Sequence, residues 1–467
     1  MKRSPAYHLT LGLMVILMAF IMGVPRQIRM QRKRISVVGT LPKSPFGPGL
    51  IVKYKDGARP SAISALRDHF KATQLLSFDS IEHGLDFESI PSGVDINEVL
   101  AAYDADRDDV EYAEPNFRYE EDHLIPTLFP NDPNFGLQWG LVNNGQEING
   151  KAGKKGVDIG ASTAWAVTTG SEDVVVAVID SGVDYKHTDL AGNIWENKKE
   201  IPNNGIDDDG NGVVDDYNGY NAVDDNGDPM DADQHGTHCA GIIGAEGDNG
   251  EGVVGVNWHV KIMPVRFISS GGGGTLSDAI EGINYVVKMK KRGVNVRVIS
   301  ASWGGLQYSK ALKDAIEAAG REGILFVAAA GNSGVDNDRM PHYPSSYGLD
   351  NIVAVAASDN NDHLTSFSNW GAKSVDLAAP GKDILSTTPG DSYSLMSGTS
   401  MAAPFVSGVA ALIISKEKNI TVTQLKKRLL ESVDPVPELK GKVVSGGRLC
   451  AAKAVGAEEP NVGSITY

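Results

Sequence analysis

An acid, a base and a hydroxyl side chain stand in glycine-rich surroundings along this chain. Asp180 ends the apolar run 174–179, His235 opens the segment HGTHCAG, and Ser400 lies within GTSMAAP. A serine hydroxyl is a weak nucleophile until a base takes its proton, and histidine titrates near neutral pH. A carboxylate then fixes the histidine tautomer and stabilises the imidazolium. These residue types are those that acyl transfer needs, and Asp, His, Ser is a known chain order for them.

Two of these residues have a neighbour of the same type. Asp184 follows Asp180 closely, and His238 follows His235. Asp180 comes directly after an apolar run that predicts a strand, whereas Asp184 belongs to the turn beyond it. His238 falls inside the helix that HGTHCAG predicts, where a structural role is the simpler interpretation. We therefore expect Asp180 and His235 to form the reacting pair.

Two further polar segments follow predicted strands. The run Val298 to Ala301 leads into SWGG, and the run Val327 to Ala330 leads into GNSG, which contains Asn332. Ligands of open α/β sheets bind at the carboxyl ends of the strands. An amide donor and a backbone N–H can hold the oxyanion that develops during acyl transfer. Asn332 is the candidate for the amide donor, and a plain turn former after glycine is the alternative.

Apolar runs alternate with helical patterns through most of the chain, which predicts a mostly parallel sheet with helices on both faces. The predicted strands are 174–179, 260–267, 294–301, 324–330 and 352–357, with helices over 276–290 and 309–320. A smaller α+β pattern precedes them. It consists of strands 50–54 and 110–115 and helices 61–70 and 94–103, with Ser61 as the cap of the first helix.

In order, VIDSGVD, HGTHCAG, SWGG, AAAGNSG and GTSMAAP resemble the motifs of the subtilisin-like serine proteases. The resemblance covers about residues 130–456, and residues 48–122 are similar to the family's propeptide. It implies a subtilisin-like α/β fold and a serine endopeptidase made as an autoprocessed zymogen. It also implies that Asp180 orients His235, that His235 is the general base and Ser400 the nucleophile, and that Asn332 and the Ser400 N–H bind the oxyanion.

The resemblance also implies where a protein or peptide substrate would bind. The SWGG segment would pair with the substrate backbone as an added strand, a known mode of peptide recognition. The main specificity pocket would lie between this segment and residues 329–333, with His342 near its base, and would favour large apolar side chains. Leu276 would help to form a more distant apolar pocket. The implied substrate-binding residues are Ser302, Trp303, Gly304, Gly305, Leu276, Ala330 and Gly331.

Aspartates crowd the stretch 207–233, which contains no lysine or arginine. Such charges repel one another unless they are solvated or bound to a cation. Residues 207–216 are similar to a calcium loop, with alternating oxygen ligands and glycines for the turn. They depart from the EF-hand, because position twelve is Asn218 and not glutamate. A solvated acidic loop is the alternative.

Three groups of oxygen ligands follow from this pattern and from the resemblance, and we expect them to hold structural Ca²⁺. The first comes from the calcium-like loop, the second from the acidic residues after it, and the third resembles a family site near the mature N-terminus. The groups are Asp207, Asp209, Asn211 and Asp215; Asp224, Asn226 and Asp228; and Asp132, Asp189 and Asn249. Zinc is not expected, because no Cys/His ligand spacing is present.

The N-terminal residues predict export. Lys2 and Arg3 precede the apolar run 9–24, which fits the core of a signal peptide. A basic flank follows, so an uncleaved membrane anchor is the alternative, and the protein would be secreted or anchored at the outer face of the membrane. The chain carries a net charge of −16, which disfavours nucleic acid as a partner. Cys239 and Cys450 are expected to be free thiols, at least one of them buried.

The 467 residues thus divide into four regions. Residues 1–35 form the targeting segment, 48–122 the propeptide or inhibitor domain, 130–456 the catalytic domain, and 457–467 a C-terminal tail. We expect a monomer that its own propeptide inhibits intramolecularly. A catalytically silent binding protein with the same fold and a narrow processing protease with one substrate are the alternatives. Degraded motif residues would favour the silent protein, and none are degraded.

Overall fold

The computed structural model of the chain describes residues 49–116 and 126–457. These residues belong to two compact units, which divide near residue 122. The predicted targeting segment and tail, and most of the segment that joins the units, lie outside the described residues. Each unit is considered by itself below.

The N-terminal unit is a four-stranded antiparallel sheet with two helices; both predicted strands and both predicted helices are present, and β2 and β3 were not predicted. The sheet order is β2-β3-β1-β4. The elements are β1 (Gly49–Tyr54), α1 (Pro60–Phe70), β2 (Thr73–Ser77), β3 (Leu85–Ser89), α2 (Ile96–Ala105) and β4 (Val110–Pro115). The prediction of Ser61 as a helix cap is wrong. Helix α1 begins one residue earlier with Pro60, which needs no N–H partner at the first helical position.

A buried carboxylate lies in the core of this unit. Glu88 has no exposed surface and accepts hydrogen bonds from the hydroxyls of Tyr54 (2.6 Å) and Tyr103 (2.7 Å) and from Nε of Arg67 (2.7 Å). Apolar side chains, including Leu50 and Val99, fill the rest of the core. A buried charge of this kind is tolerated only when it is fully hydrogen-bonded, so the unit depends on the complete network.

The larger unit contains the remaining strands and helices. The strands are β5 (Glu147–Ile148), β6 (Lys151–Ala152), β7 (Gly170–Asp180), β8 (Tyr220–Asn221), β9 (His259–Arg266), β10 (Val296–Ala301), β11 (Leu325–Ala329), β12 (Ile352–Ser358), β13 (Leu377–Pro380), β14 (Ile384–Thr388), β15 (Ser392–Met396), β16 (Asp434–Pro435) and β17 (Gly447–Arg448). The helices are α3 (Ala161–Trp165), α4 (His235–Gly244), α5 (Leu276–Lys291), α6 (Lys310–Arg321), α7 (Thr399–Lys416), α8 (Val422–Glu431) and α9 (Ala451–Ala454).

Nine strands form one sheet in the order β16-β17-β13-β12-β11-β10-β7-β9-β8. All neighbouring pairs are parallel except β16 with β17. Helices α4 and α7 pack in the hydrophobic core on one face, and α5 and α6 pack in the core on the other. The predicted doubly covered, mostly parallel sheet is therefore confirmed.

Local sequence explains where the elements that frame the site begin. The apolar stretch of β7 is buried on both faces, as a central parallel strand requires. Thr275 and Ser309 cap α5 and α6 by accepting the backbone N–H groups of Asp278 and Leu312. Helix α7 is apolar on all sides because it crosses the core. In the described part of the chain it is the one helix whose length and composition would allow it to cross a membrane, and 83% of that window is buried inside the fold.

Candidate active site

The carboxyl ends of three adjacent strands bring the predicted residues to one edge of the sheet. Strand β7 ends at Asp180, and its neighbour β10 leads into Ser302. The next strand, β11, leads into the turn that contains Asn332. Helices α4 and α7 begin at the same edge and contact each other. The topology therefore explains how residues far apart in the sequence meet.

Asp180 and His235 are directly hydrogen-bonded. Asp180 has no exposed surface, and its Oδ1 accepts from Nδ1 of His235 at 2.7 Å and from the backbone N–H of Ser181 at 2.7 Å. The imidazole of His235 stays 30% exposed. One ring nitrogen is thus fixed as a donor to the carboxylate, which leaves Nε2 as the nitrogen available for proton transfer.

The two competing residues lie in other environments. Asp184 accepts from the backbone N–H groups of Lys186 and Gly390. His238 is fully buried, and its Nε2 donates to the carbonyls of Ser394 (3.0 Å) and Ile384 (3.1 Å). Burial lowers the pKa of His238 to about 4, so it remains neutral. Its contacts are those of a structural histidine.

The charge of Asp180 raises the pKa of His235 above its ordinary value. Burial acts in the opposite direction, and the carboxylates of Asp231 and Asp233 add to the effect of Asp180. A raised pKa means that the imidazole binds a proton readily. The charges around His235 therefore stabilise its imidazolium form.

Ser400 is the second residue of α7, and the helix leaves its carbonyl without the usual partner. Pro404, four residues later, has no N–H to donate to the Ser400 carbonyl. That oxygen accepts instead from Oγ of Ser302 (2.7 Å) and Sγ of Cys239 (3.4 Å). The Ser400 hydroxyl donates to the carbonyl of Ser302 at 3.0 Å. The first turn of α7 is thereby fixed against both β10 and α4.

Cys239 lies one turn after His235 on α4 and joins the two helices. It is buried, and burial raises the pKa of its thiol well above the ordinary value. A nucleophilic cysteine needs a depressed pKa, so this thiol has the character of a packing residue. Both cysteines are free and buried, as predicted.

The orientation of the Asn332 amide follows from its contacts with α7. Its Oδ1 accepts from the backbone N–H of Thr399 (2.8 Å) and from the Thr399 hydroxyl (2.9 Å). The Nδ2 group, the donor, is left on the other side of the amide. Asn332 is exposed, whereas the preceding Gly331 is buried with φ of +106°, a conformation that favours glycine.

The predicted substrate segments border this edge. Trp303 is anchored inward, because its indole donates to the Ile179 carbonyl (2.8 Å). Gly305 exchanges two backbone hydrogen bonds of 2.8 Å with Tyr343. The ring of His342 lies close to Gly304 and Gly331, and a side chain on Gly304 would come within 2.3 Å of it. Ala330 is fully buried, and Leu276, the first residue of α5, is 49% exposed.

The calcium-like loop is arranged differently from its sequence pattern. Glu200, Asp207 and Asp209 have carboxylate oxygens within 4.8 Å of one another. Asn211 donates to Asp216 (2.7 Å), and Asp215 accepts the backbone N–H groups of 204 and 205. The structure thus adds Glu200 to the predicted group, and Asn211 and Asp215 serve the shape of the loop. Glu200 precedes the acidic stretch, so the pattern gave no signal for it.

Glu200 is one of several buried acids at this loop. It is 4% exposed, and within the described residues its Oε2 has no hydrogen-bond partner. Burial raises its pKa, as do the charges of Asp216 and Asp209. Asp209 pairs with Arg292 at 3.1 Å. An unpartnered buried carboxylate oxygen beside two other carboxylates fits a bound cation.

The second predicted group has local partners instead. Asp224 lies near Asn221 and Arg266, Asn226 accepts the N–H of Asp228, and Asp228 accepts from the hydroxyl of Tyr185. These are turn and surface contacts. None of these three described side chains has a buried oxygen without a hydrogen-bond partner.

The third predicted group does converge. Asp189 Oδ1 accepts from the Asn249 side chain (2.9 Å), and Asp132 Oδ2 accepts the backbone N–H of Asp248 (2.8 Å). Among the described residues, the buried Oδ1 of Asp132 has no partner. Burial raises the pKa of Asp132 to about 6, and the charge of Asp189 adds to that effect. A cation here would relieve the repulsion between the carboxylates.

Comparison with known proteins agrees with this geometry. A model of the subtilase family, Peptidase_S8, matches residues 171–453. The chain is 38% identical over 311 residues to the thermophilic serine proteinase of Bacillus sp. (strain AK1), covering 66% of this chain and 64% of that protein. It is 35% identical over 297 residues to thermitase of Thermoactinomyces vulgaris, covering 64% of this chain and 93% of thermitase.

A solved structure of a protease from Pseudoalteromonas arctica PAMC 21717 is also similar. Its TM-score is 0.56 at 30% identity, and the match covers 71% of this chain and 99% of that one. The matches support the class of serine endopeptidases. The chain belongs to the subtilase family. It spans 64% of the length of the Bacillus relative.

The pKa of His235 provides a test that needs no substrate. We expect it above the ordinary 6.5 in the Ser400→Ala protein, which cannot digest itself. It should fall in Ser400→Ala/Asp180→Asn, because the neutral amide no longer stabilises the imidazolium. Proton-detected NMR of labelled histidine measures both values. An unchanged pKa after Asp180→Asn would contradict the pairing.

Proposed function

We propose that this chain is a serine endopeptidase that hydrolyses peptide bonds through an acyl-enzyme, with Asp180, His235 and Ser400 as its triad. The 2.7 Å bond between Asp180 and His235 carries the proposal, since it fixes the imidazole on the helix that contacts α7, whose second residue is Ser400. Cys239 supports the placement, because it lies on the helix of His235 and contacts the carbonyl of Ser400.

The chemistry follows from these positions. Oγ of Ser400 attacks the carbonyl carbon of the scissile bond while Nε2 of His235 takes its proton. Asp180 stabilises the imidazolium, which then protonates the leaving amine as the C–N bond breaks. Water repeats the sequence on the acyl-enzyme and releases the acid. The Ser400 hydroxyl must first turn away from the Ser302 carbonyl, and such realignment on substrate binding is common.

Asn332 and the backbone N–H of Ser400 would bind the oxyanion. Thr399 holds the oxygen of the Asn332 amide, so its Nδ2 faces the other way as a donor. The N–H of Ser400 belongs to the first turn of α7, where backbone N–H groups have no partner within the helix. Both donors are fixed before the reaction, which makes them effective in the transition state.

We propose that protein or peptide substrates bind as an added strand along Ser302, Trp303 and Gly304, next to Gly305, which is already paired with Tyr343. The pocket between these residues and Ala330–Gly331 would take a large apolar side chain above the ring of His342. Leu276 would contact a more distant side chain. Secretion, or anchoring by the N-terminal apolar run, would place the enzyme outside the cell.

We further propose that residues 48–122 are an inhibitory propeptide that self-cleavage releases. The described part of this region folds as a separate compact unit with its own core, and it precedes the catalytic unit in the chain. Inhibition by a propeptide is typical of the family.

We propose two structural Ca²⁺ sites. Glu200, Asp207 and Asp209 would hold one ion, and Asp132, Asp189 and Asn249 the other. Each group contains a buried carboxylate oxygen that the described residues leave without a partner. Hard oxygen ligands of this kind suit calcium. Bound calcium would neutralise these carboxylates and has no part in the bond-breaking steps.

Ser400→Ala tests the proposed activity. It should abolish peptide hydrolysis and labelling by a serine-directed organophosphate, while the melting temperature stays close to that of inhibited wild type. The neighbouring hydroxyls of Ser302 and Thr399 already donate to the Ser400 carbonyl and to Asn332, so we do not expect them to replace Oγ. Near-normal hydrolysis by pure Ser400→Ala protein would refute the triad, and a wild type that neither hydrolyses peptides nor reacts would favour a silent binding protein.

The separate fragment 48–122 should inhibit the mature enzyme at micromolar concentration. A fragment with Glu88→Ala is the matched control, since loss of the carboxylate leaves Tyr54, Tyr103 and Arg67 without their shared partner. Inhibition by each fragment is measured from the steady-state hydrolysis of a peptide. Circular dichroism reports whether each fragment is folded. Unchanged activity with the folded wild-type fragment would refute inhibition. Maturation of the Ser400→Ala precursor in a protease-free host would refute self-cleavage.

Chelation should lower the melting temperature of the Ser400→Ala protein. An ion that binds only the folded state stabilises it by about 2.7 kcal/mol at a hundredfold excess over its dissociation constant. Glu200→Gln with Asp207→Asn should reduce the difference between melts in calcium and in chelator. Asp215→Asn is the control, since that carboxylate accepts backbone N–H groups. Superimposed wild-type melts would show that the acidic loop is only solvated.

A further inference from the structure

Asp231, which none of the proposed steps uses, links the end of β7 to the start of α4. Its Oδ1 accepts from the hydroxyl of Ser181 (2.8 Å) and its Oδ2 from the backbone N–H of Thr237 (2.9 Å). The hydroxyl of Thr237 also donates to Oδ2. Ser181 directly follows Asp180, and Thr237 is the third residue of the helix that His235 opens. One carboxylate therefore contacts both sides of the Asp180–His235 pair.

The same contacts complete the first turn of α4. Gln234, the residue before the helix, provides no side-chain cap. The N–H of Gly236 donates to Oγ of Ser181 (2.9 Å), and that of Thr237 donates to Asp231. Backbone N–H groups in a first helical turn need such acceptors, and a negative charge there is favourable. Asp231 and Ser181 together thus perform the capping function for the helix that positions His235.

The backbone around these residues leaves no space for adjustment. A side chain on Gly236 would lie 2.0 Å from the carbonyl of Gly182, and one on Gly182 would lie 2.8 Å from Cα of Asp231. Movement at Asp231 therefore transfers to the start of α4. A misplacement of about 1 Å in a catalytic group can reduce the rate about a hundredfold.

We propose that Asp231 is a positioning residue for His235, which holds the start of α4 against the end of β7 so that the imidazole meets Asp180. It acts through Ser181 and Thr237 and touches no reacting atom. Only the expected change in kcat rests on the proposed hydrolase activity. The contacts of Asp231 are present in the protein without substrate.

Asp233 provides a matched control. The charged groups that face the imidazole are Asp180, Asp231 and Asp233, and His238 lies on the same helix. Asp233 is exposed, and its carboxylate accepts from the N–H of Gln234 (2.8 Å). Asp231→Asn and Asp233→Asn thus remove the same charge near His235, and only the first change alters the link between β7 and α4.

The experiment measures kcat and KM of the two variants in the mature enzyme. Active sites are titrated with an organophosphate, so that kcat is expressed per functional site. Asp231→Asn should lower kcat between about tenfold and a hundredfold with little change in KM. Asp233→Asn should keep kcat within about threefold of wild type. Both variants should shift the acidic limb of the kcat–pH profile to lower pH, because each removes a negative charge that favours the imidazolium of His235. Equal kcat values for the two variants would refute positioning.

A second measurement needs no activity. In the Ser400→Ala protein, the Nδ1 proton of His235, bonded to Asp180, should give a downfield NMR signal that Asp233→Asn retains and Asp231→Asn broadens or loses. Ser181→Ala removes one of the two links, and it should weaken the signal even if Asp231→Asn does not fold. A sharp, unshifted His235 Nδ1 proton signal in Asp231→Asn would overturn the proposal. If Asp231→Asn does not fold, the same result in Ser181→Ala would overturn it. If wild type hydrolyses no peptide, the proposed function fails, and this signal still decides the role of Asp231.

Discussion

A carboxylate without exposed surface at the end of the central strand is the constraint on which the site depends. Asp180 loses its hydration on folding, and a buried charge is strongly unfavourable unless hydrogen bonds replace the water. His235 and the Ser181 N–H supply them at Oδ1, while Oδ2 has no partner among the described residues. The fold must therefore deliver an imidazole to this point, and the start of α4 is placed accordingly.

Helix α7 also has a backbone group near the site, the Ser400 carbonyl, that needs a hydrogen-bond partner from outside the helix. Helix α7 crosses the core and is mostly apolar, but its first turn carries the hydroxyls of Thr399 and Ser400 and a backbone carbonyl that is free of the helix. Because Pro404 has no N–H, the Ser400 carbonyl accepts no helical hydrogen bond from it. The carbonyl accepts hydrogen bonds from Ser302 and Cys239 instead. A residue that looks like a helix breaker thus connects α7 to the neighbouring strand and helix. Ser400, the proposed nucleophile, is thus held through its backbone carbonyl, and its hydroxyl donates to the carbonyl of Ser302.

The sequence predicted the features that strong local patterns encode and missed those that depend on distant contacts. Strands β7 and β9 to β12 each contain a strongly apolar stretch, and all were found. Strand β2 was missed because each of its residues is exposed, so it has no apolar face to detect. Strands β16 and β17 are two residues long and form through pairing alone. Glu200 and Asp231 resemble other acids in sequence, and only burial or bonding partners distinguish them.

The fixed orientation of Asn332 means that the proposed oxyanion site depends on one particular nitrogen atom. Its oxygen is held by Thr399, so the direction of the nitrogen is set by the fold and cannot be exchanged by a flip of the amide. Loss of ammonia from this exposed side chain, as happens to asparagines in ageing proteins, would preserve its shape and both bonds from Thr399. It would replace the nitrogen that we propose as an oxyanion donor by a negatively charged acceptor. Such a covalent change would end the proposed oxyanion binding and leave both contacts with Thr399 in place.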